Sequence, residues 1–253
     1  MVIVDRPGKL AAGFTDTRSS GKPYHFLEFQ LGDVFMLDVS TCGSGQRLWP
    51  DDYANSAGMS RKGRWNLKDR LKKFDAAVAA GELALEVGPL AATRSAAEEL
   101  WPLYQQTGEK NGFTVLTEEE FYEFHAEVPD LLIMKVYALE KEAGTRRLVS
   151  FCTGVRYRDV LMPMWCGQDY GCELVRTKST YFVMLYSYVK LAMADAAVRW
   201  VDLGATRRTA KTAIGFVPHP MAGYFRCRNA VQMALLEHFL ATYFDPAKVM
   251  NDP

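Results

Sequence analysis

The sequence predicts an α/β protein (α+β, mixed sheet) with an N-terminal extension at 1–81 and a core domain at 82–253. Three observations predict it. Short apolar runs at 82–88, 131–141, 148–159, 160–171 and 199–204 have strand length and are bounded by turn residues. Segments with helical spacing lie between and around them. Apolar residues make up 49% of the 253-residue chain, enough to cover both faces of a sheet.

The elements follow in order. Residues 1–24 are rich in Gly, Ser, Thr and Pro and read as a loose arm. HFLEFQLGDVFMLDVS (25–40) alternates and reads as one or two strands. A helix is expected over 51–81, interrupted near Gly58 and Gly63. Leu67, Leu71, Phe74 and Val78 recur at helical spacing in it, and Gly81 stops it. ELALEVG (82–88) is a strand. A second helix starts at Thr93, with Ser95 and Glu98 as a capping box and Pro102 inside it. A third spans 116–127, with Thr117 as N-cap and Glu120 three residues on. Strands at 131–141 and 148–159 are antiparallel, and 160–171 is the next. STYFVMLYSYVKLAMADAAV (179–198) is the most definite helix, with Ser179 as N-cap. A strand (199–204), a short helix (205–215), a pair of strands (216–229) and a terminal helix (231–244) close the chain.

Composition excludes several functions. Thirty basic and thirty acidic residues balance, unlike a general nucleic-acid binder. Cys42, Cys152, Cys166, Cys172 and Cys227 are odd in number and scattered, with no CxxC pair, so neither a disulfide framework nor a zinc site is expected. The N-terminus has no secretory signal, and no run reaches the roughly 20 apolar residues of a membrane span. A cytoplasmic protein with reduced thiols is the expectation.

GQDYG (167–171), the Tyr-rich helix at 180–198 and VDLGATRRTAKTAIGF (201–216) resemble the Fem-like, peptidoglycan-biosynthesis-type branch of the GNAT superfamily, and so does the element order from residue 82. SRKGRWNLKDRLKKF (60–74) is similar to the basic helix those proteins carry before the catalytic core. The resemblance implies a GNAT-like acyl-CoA N-acyltransferase fold and transfer of an acyl group from a thioester, acyl-CoA or carrier protein, to an amine. No permanently bound cofactor and no metal are implied. It leaves two alternatives: aminoacyl transfer from aminoacyl-tRNA docked on the basic helix, or a binding protein without catalysis. The chain departs from the pattern in lacking a basic residue or Gln followed by Gly-x-Gly between 166 and 180.

Acyl transfer to an amine needs a proton acceptor, donors for the carbonyl oxygen and a proton for the leaving thiol. In a GNAT-like fold the strands 160–168 and 199–204 splay apart, and main-chain donors from 164–168 face the carbonyl. Asp169 and Tyr170 are the catalytic candidates: Asp169 to take a proton or bind the ammonium, Tyr170 to protonate the leaving group. Asp-Tyr-Gly is also ordinary turn chemistry. Trp165, Gly167, Gln168, Lys178 and Ser179 are candidates for donor binding, with phosphate at the first turn of the long helix. Gly204, Arg207, Arg208 and Lys211 form a second phosphate-directed group. Residues 205–212 read A-x-x-x-x-A-K-T, a P-loop without its glycines, and carry no nucleotide-hydrolysis expectation. His125, His219 and His238 read as structural, and Tyr181, Met184, Tyr186 and Tyr188 as core or groove lining. Arg61, Lys62, Arg64, Lys68, Arg70, Lys72 and Lys73, with Trp65 among them, form either a solvated helix face or a polyanion contact.

Overall fold

The computed structural model describes residues 2–5, 27–42, 49–112, 114–140, 144–205, 208–225 and 230–243. The chain divides into two units, Met1–Met36 with Gly204–Pro253, and Leu37–Leu203. The basic helix at 60–74, on the N-terminal side of the 81/82 boundary expected from the sequence, lies in the larger unit.

In the larger unit, after a 3-10 turn at Val39–Thr41, come a short helix α1 (Asp51–Ser56) and the basic helix α2 (Arg61–Ala79). The break between them falls at Gly58, whose φ of +59° suits glycine. Gly63, the other expected break, is buried inside α2. Ser60 caps α2 by accepting from the Gly63 N–H. Four antiparallel strands follow, β3 (Leu83–Pro89), β4 (Leu132–Glu140), β5 (Thr145–Tyr157) and β6 (Val160–Gln168). Helices α3 (Arg94–Asn111) and α4 (Glu118–Glu127) lie between β3 and β4. Thr93 caps α3 through the Ala96 N–H, in place of the expected Ser95–Glu98 box. Pro102 is accommodated inside α3. Thr117 and Glu120 form the expected capping box on α4.

After β6 come a one-turn helix α5 (Glu173–Thr177), the long α6 (Thr180–Ala194) and β7 (Trp200–Asp202). Ser179 stands at the N-cap of α6 but in a left-handed conformation, φ 54°, with no side-chain cap. β5 is buried on both faces from Val149 to Gly154. Phe151 joins Leu100, Leu103, Tyr104, Phe121 and Ile133 beneath α3 and α4. Residues on the opposite face meet α6, which also packs against α2. Arg70 fastens that helix pair, stacking 3.7 Å from the Phe182 ring centroid and donating to Tyr186 Oη at 3.0 Å.

In the smaller unit β8 (Val217–Phe225) pairs antiparallel with β1 (Val2–Asp5) on one side and with β2 (Leu27–Asp38) on the other, through Leu27–Met36. The expected strand pair at 216–229 is therefore one strand where described, taking its partners from the N-terminal region. Helices α7 (Arg208–Ala213) and α8 (Ala230–Tyr243) flank it in sequence. Val2–Asp5 is a strand within the expected loose arm.

Candidate functional site

β6 and β7 are parallel neighbours that touch only where they begin. Val160 pairs with Trp200 and Leu161 with Val201. β6 then runs seven residues further, to Gln168, while β7 ends at Asp202. Among the described residues no pairing between them follows, so a gap opens toward their C-terminal ends. Beside it β6 carries a bulge, with Cys152 opposite Cys166 but Gly154 opposite Pro163. One extra residue on β6 re-aims the strand, as bulges do beside functional sites.

The ladder decides which main-chain groups face the gap. Asp169 N–H donates to Val149 C=O at 2.8 Å, a bonded pair. Bonded and non-bonded pairs alternate along an antiparallel ladder. Gly167 is thus bonded to β5, and the main chains of Cys166 and Gln168 turn to the open edge. The Gln168 N–H is taken by Thr107 Oγ1 of α3 at 3.0 Å.

The structure assigns distinct surroundings to the residues singled out from sequence. Gly167 is a packing glycine: an added Cβ would lie 2.3 Å from Phe151 Cε1, 2.6 Å from Leu103 C and 2.7 Å from Tyr104 N. Gln168 is buried, its amide donating to Thr180 Oγ1 at 3.1 Å and Ser150 Oγ at 3.4 Å, which ties β5, β6 and the start of α6 together. Trp165 sits edge-on to Tyr104 and Phe124, and its Nε1 is buried without a hydrogen-bond partner among the described residues. Asp169 is engaged at both oxygens. One pairs with Arg147, and the other accepts from the Gly171 N–H at 2.9 Å. The bond to Asp169 in turn holds the Arg147 guanidinium more firmly protonated. An available base is not what this geometry describes; Asp169 builds the turn. Tyr170, next to it, is 45% exposed, with Lys110 Nζ 5.7 Å from its ring centroid. Lys178 Nζ lies 3.5 Å from Glu82.

The second group belongs to the smaller unit. Lys211, expected to meet phosphate, is 3% exposed and turned inward. Its Nζ donates to Gly204 C=O at 3.0 Å and lies 5.5 Å from the Phe35 ring centroid. Gly204 has φ +70°, and its carbonyl also accepts from the Phe35 N–H. Arg208 pairs with Asp33 at 3.1 Å. Arg207 lies outside the described residues.

Sequence reasoning missed Thr107, Ser150, Thr180 and Arg147, because each acts on a residue far along the chain and none stands in a recognisable spacing. His125 is structural in its surroundings, fully buried, with Nδ1 2.7 Å from Phe121 C=O. Burial pushes its pKa down.

On α2, Arg64 donates to Met59 C=O at 2.6 Å, Lys68 pairs with Asp51 and Lys73 with Asp69. Gly63, Leu67, Phe74 and Ala77 form its buried face. Arg61, Trp65, Lys68 and Lys72 line an exposed face, with Trp65 64% exposed.

No curated protein matches the chain in sequence. Among solved structures, FemX superposes with a TM-score of 0.58 at 12% identity, over 82% of this chain and 64% of that one. L-PGS from Bacillus licheniformis gives 0.53 at 13%, over 87% and 66%. A conserved protein of unknown function from Bacteroides thetaiotaomicron gives 0.53 at 8%, over 89% and 69%. This chain thus spans about two thirds of the length of each. At such identities the likeness establishes the fold. The Acetyltransferase (GNAT) domain family matches residues 61–212, well over half of the chain and the whole stretch from α2 through the β6–β7 gap. The chain belongs to that family.

Proposed function

We propose that the protein moves an acyl group from a thioester, acyl-CoA or an acylated carrier protein, to an amine. The observation that carries this reading is the β6–β7 gap. Among the described residues the parallel pairing stops after two residues, so the C-terminal half of β6 runs on past the end of β7. An extended arm with amide groups, such as a pantetheine, satisfies a strand edge as a peptide strand would. Its thioester then lies along the Cys166 side of β6. Main-chain donors of β6 other than the Gln168 N–H, which Thr107 takes, are held in place by the ladder, and fixed donors stabilise the oxygen charge that develops as the amine attacks.

Tyr170 supplies the proton to the departing thiol from its exposed position at the end of β6. Asp169 contributes by holding the turn that carries Tyr170, with Arg147 as its anchor. The amine's own proton leaves to solvent or to a group on the acceptor. Lys178 and the first turn of α6 receive a phosphate of the donor. Gly167, Gln168 and Trp165 act beneath this layer by fixing β6 against α3 and α6.

The test is calorimetric titration with acetyl-CoA and a longer acyl-CoA. We expect binding of at least one, weakened about tenfold in Lys178→Ala, the worth of one charge-assisted contact. Unchanged affinity in Lys178→Ala would remove the phosphate assignment.

A second reading has its own observation, the Arg61–Trp65–Lys68–Lys72 face of α2. Cations spaced around an exposed indole suit a polyanion with unstacked bases, such as the RNA of an aminoacyl-tRNA donor. Absence of thioester binding, together with salt-sensitive RNA binding lost in Trp65→Ala, would favour it over the first.

A further inference from the structure

Cys152 and Cys166 stand directly opposite one another on β5 and β6. The bonded pair 149/169 makes 150/168 and 152/166 non-bonded pairs. Residues so paired lie about 4.5 Å apart at Cα. That is inside the window of about 4.4–6.8 Å in which a disulfide closes. Side chains of the neighbouring pair of the same kind do meet on this face, through the Gln168–Ser150 hydrogen bond. Neither cysteine is in a disulfide. The two differ in access: Cys152 is buried, and Cys166 is half-buried beside the open edge of β6. Burial pushes the Cys152 thiol up, and the neighbouring Cys166 adds to the effect, so the two sulfurs lie within electrostatic reach.

We propose that Cys152 and Cys166 form a redox-active dithiol, a modification site for low-molecular-weight disulfides such as oxidised glutathione. The Cys166 thiolate attacks one sulfur of the disulfide. The glutathione S–S bond breaks, a mixed disulfide forms on Cys166, and one glutathione leaves as thiolate and takes up the proton that Cys166 gave up. Cys152 then loses its proton and attacks Cys166 Sγ. The Cys152–Cys166 bond forms and the second glutathione leaves as a thiol. Two cysteine thiols are oxidised and one disulfide is reduced to two thiols. The bond staples β5 to β6 next to the bulge, in the strand that borders the gap. The site stands whatever the acyl donor is.

The test keeps the full chain in glutathione buffers of rising oxidised fraction, quenches with acid, alkylates and reads intact mass and peptides. The expected result is loss of two of the five thiols and a cross-link between Cys152 and Cys166 that dithiothreitol reverses. Fragmentation must separate Cys166 from Cys172, since no Lys or Arg lies between them. Cys152→Ser should stop with one glutathione on Cys166, and Cys166→Ser should leave Cys152 unmodified. The proposal is overturned if the natural sequence, still folded by circular dichroism, stops at the mixed disulfide. Cross-linking to Cys42, Cys172 or Cys227 instead, or retention of all five thiols in oxidised glutathione alone, also overturns it. The reading on the natural sequence needs no variant to fold.

Discussion

Replacing Gly167 with alanine should cost the protein its packing before it costs anything in chemistry. The new Cβ would sit 2.3 Å from a ring carbon of Phe151, and 2.6 and 2.7 Å from main-chain atoms of Leu103 and Tyr104. Ordinary carbon contacts are about 3.5–4.0 Å, so relief needs a displacement of about 1 Å. Phe151 is fully buried beneath α3 and α4 and has nowhere to turn. The other two atoms are helix backbone, so α3 must lift from β6 as a body, straining the Thr107 bond to Gln168. Overpacking costs about 1–3 kcal/mol, and two backbone clashes put this case near 3. At about 2–4 °C per kcal/mol for a chain of this size, Tm should fall by roughly 6–12 °C. Urea unfolding of Gly167→Ala beside Gly88→Ala measures it. An added Cβ at Gly88 meets nothing within 4 Å, so that variant is the control. A Gly167→Ala loss below about 1 kcal/mol would refute the packing argument. Normal stability with lost acyl-CoA binding would show instead that the glycine lines the donor site.

Other outcomes follow from the same geometry. Tyr170→Phe should lower kcat about 100-fold or more with little change in KM if its hydroxyl protonates the leaving thiol; an equal rise in KM alone would assign it to binding. Arg70→Ala should cost about 2 kcal/mol, from a lost cation–π stack and an unpaired Tyr186 hydroxyl, and Arg70→Lys should not restore it. Lys72→Ala on the exposed face of the same helix should leave urea unfolding unchanged, and equal losses in the two would dissolve the distinction between anchor and surface. His125 is held neutral in the fold by burial, whereas the unfolded chain takes up a proton near pH 6.5. Stability from this residue is therefore complete above about pH 6.5 and declines as pH falls below it, which Tm measured from pH 7.5 to 5 will show. A His125→Gln variant with the same decline would place the effect elsewhere.

Elements set by neighbours in sequence were legible from residues alone. The Thr117–Glu120 box, the break at Gly58, the helix at 180–194 and the strands from 83 to 168 each depend on residues a few positions apart. Capping hydrogen bonds and apolar periodicity act over that distance, so the pattern carries its own structure. The family likeness was legible for the same reason, since it rests on element order and short motifs.

What each candidate residue touches was decided only in three dimensions. Gly167 reads in sequence as a donor-binding candidate near the end of a strand, and the structure adds that it is a point where α3 touches β6. Gln168 finds its partners at Thr107, Ser150 and Thr180, the first of them 61 positions away. Lys211 reads as a surface cation on a short helix, yet the Gly204 carbonyl and the Phe35 ring draw it inward. β8 finds its partners near the other end of the chain. The sequence by itself determined most of the helices and strands between residues 83 and 194, because local hydrogen bonding and periodicity act over a few positions. The parting of β6 and β7 was an expectation of the family likeness, and tertiary structure alone decided that their pairing stops at Leu161 and Val201, because strand register depends on everything packed against both sides of the sheet.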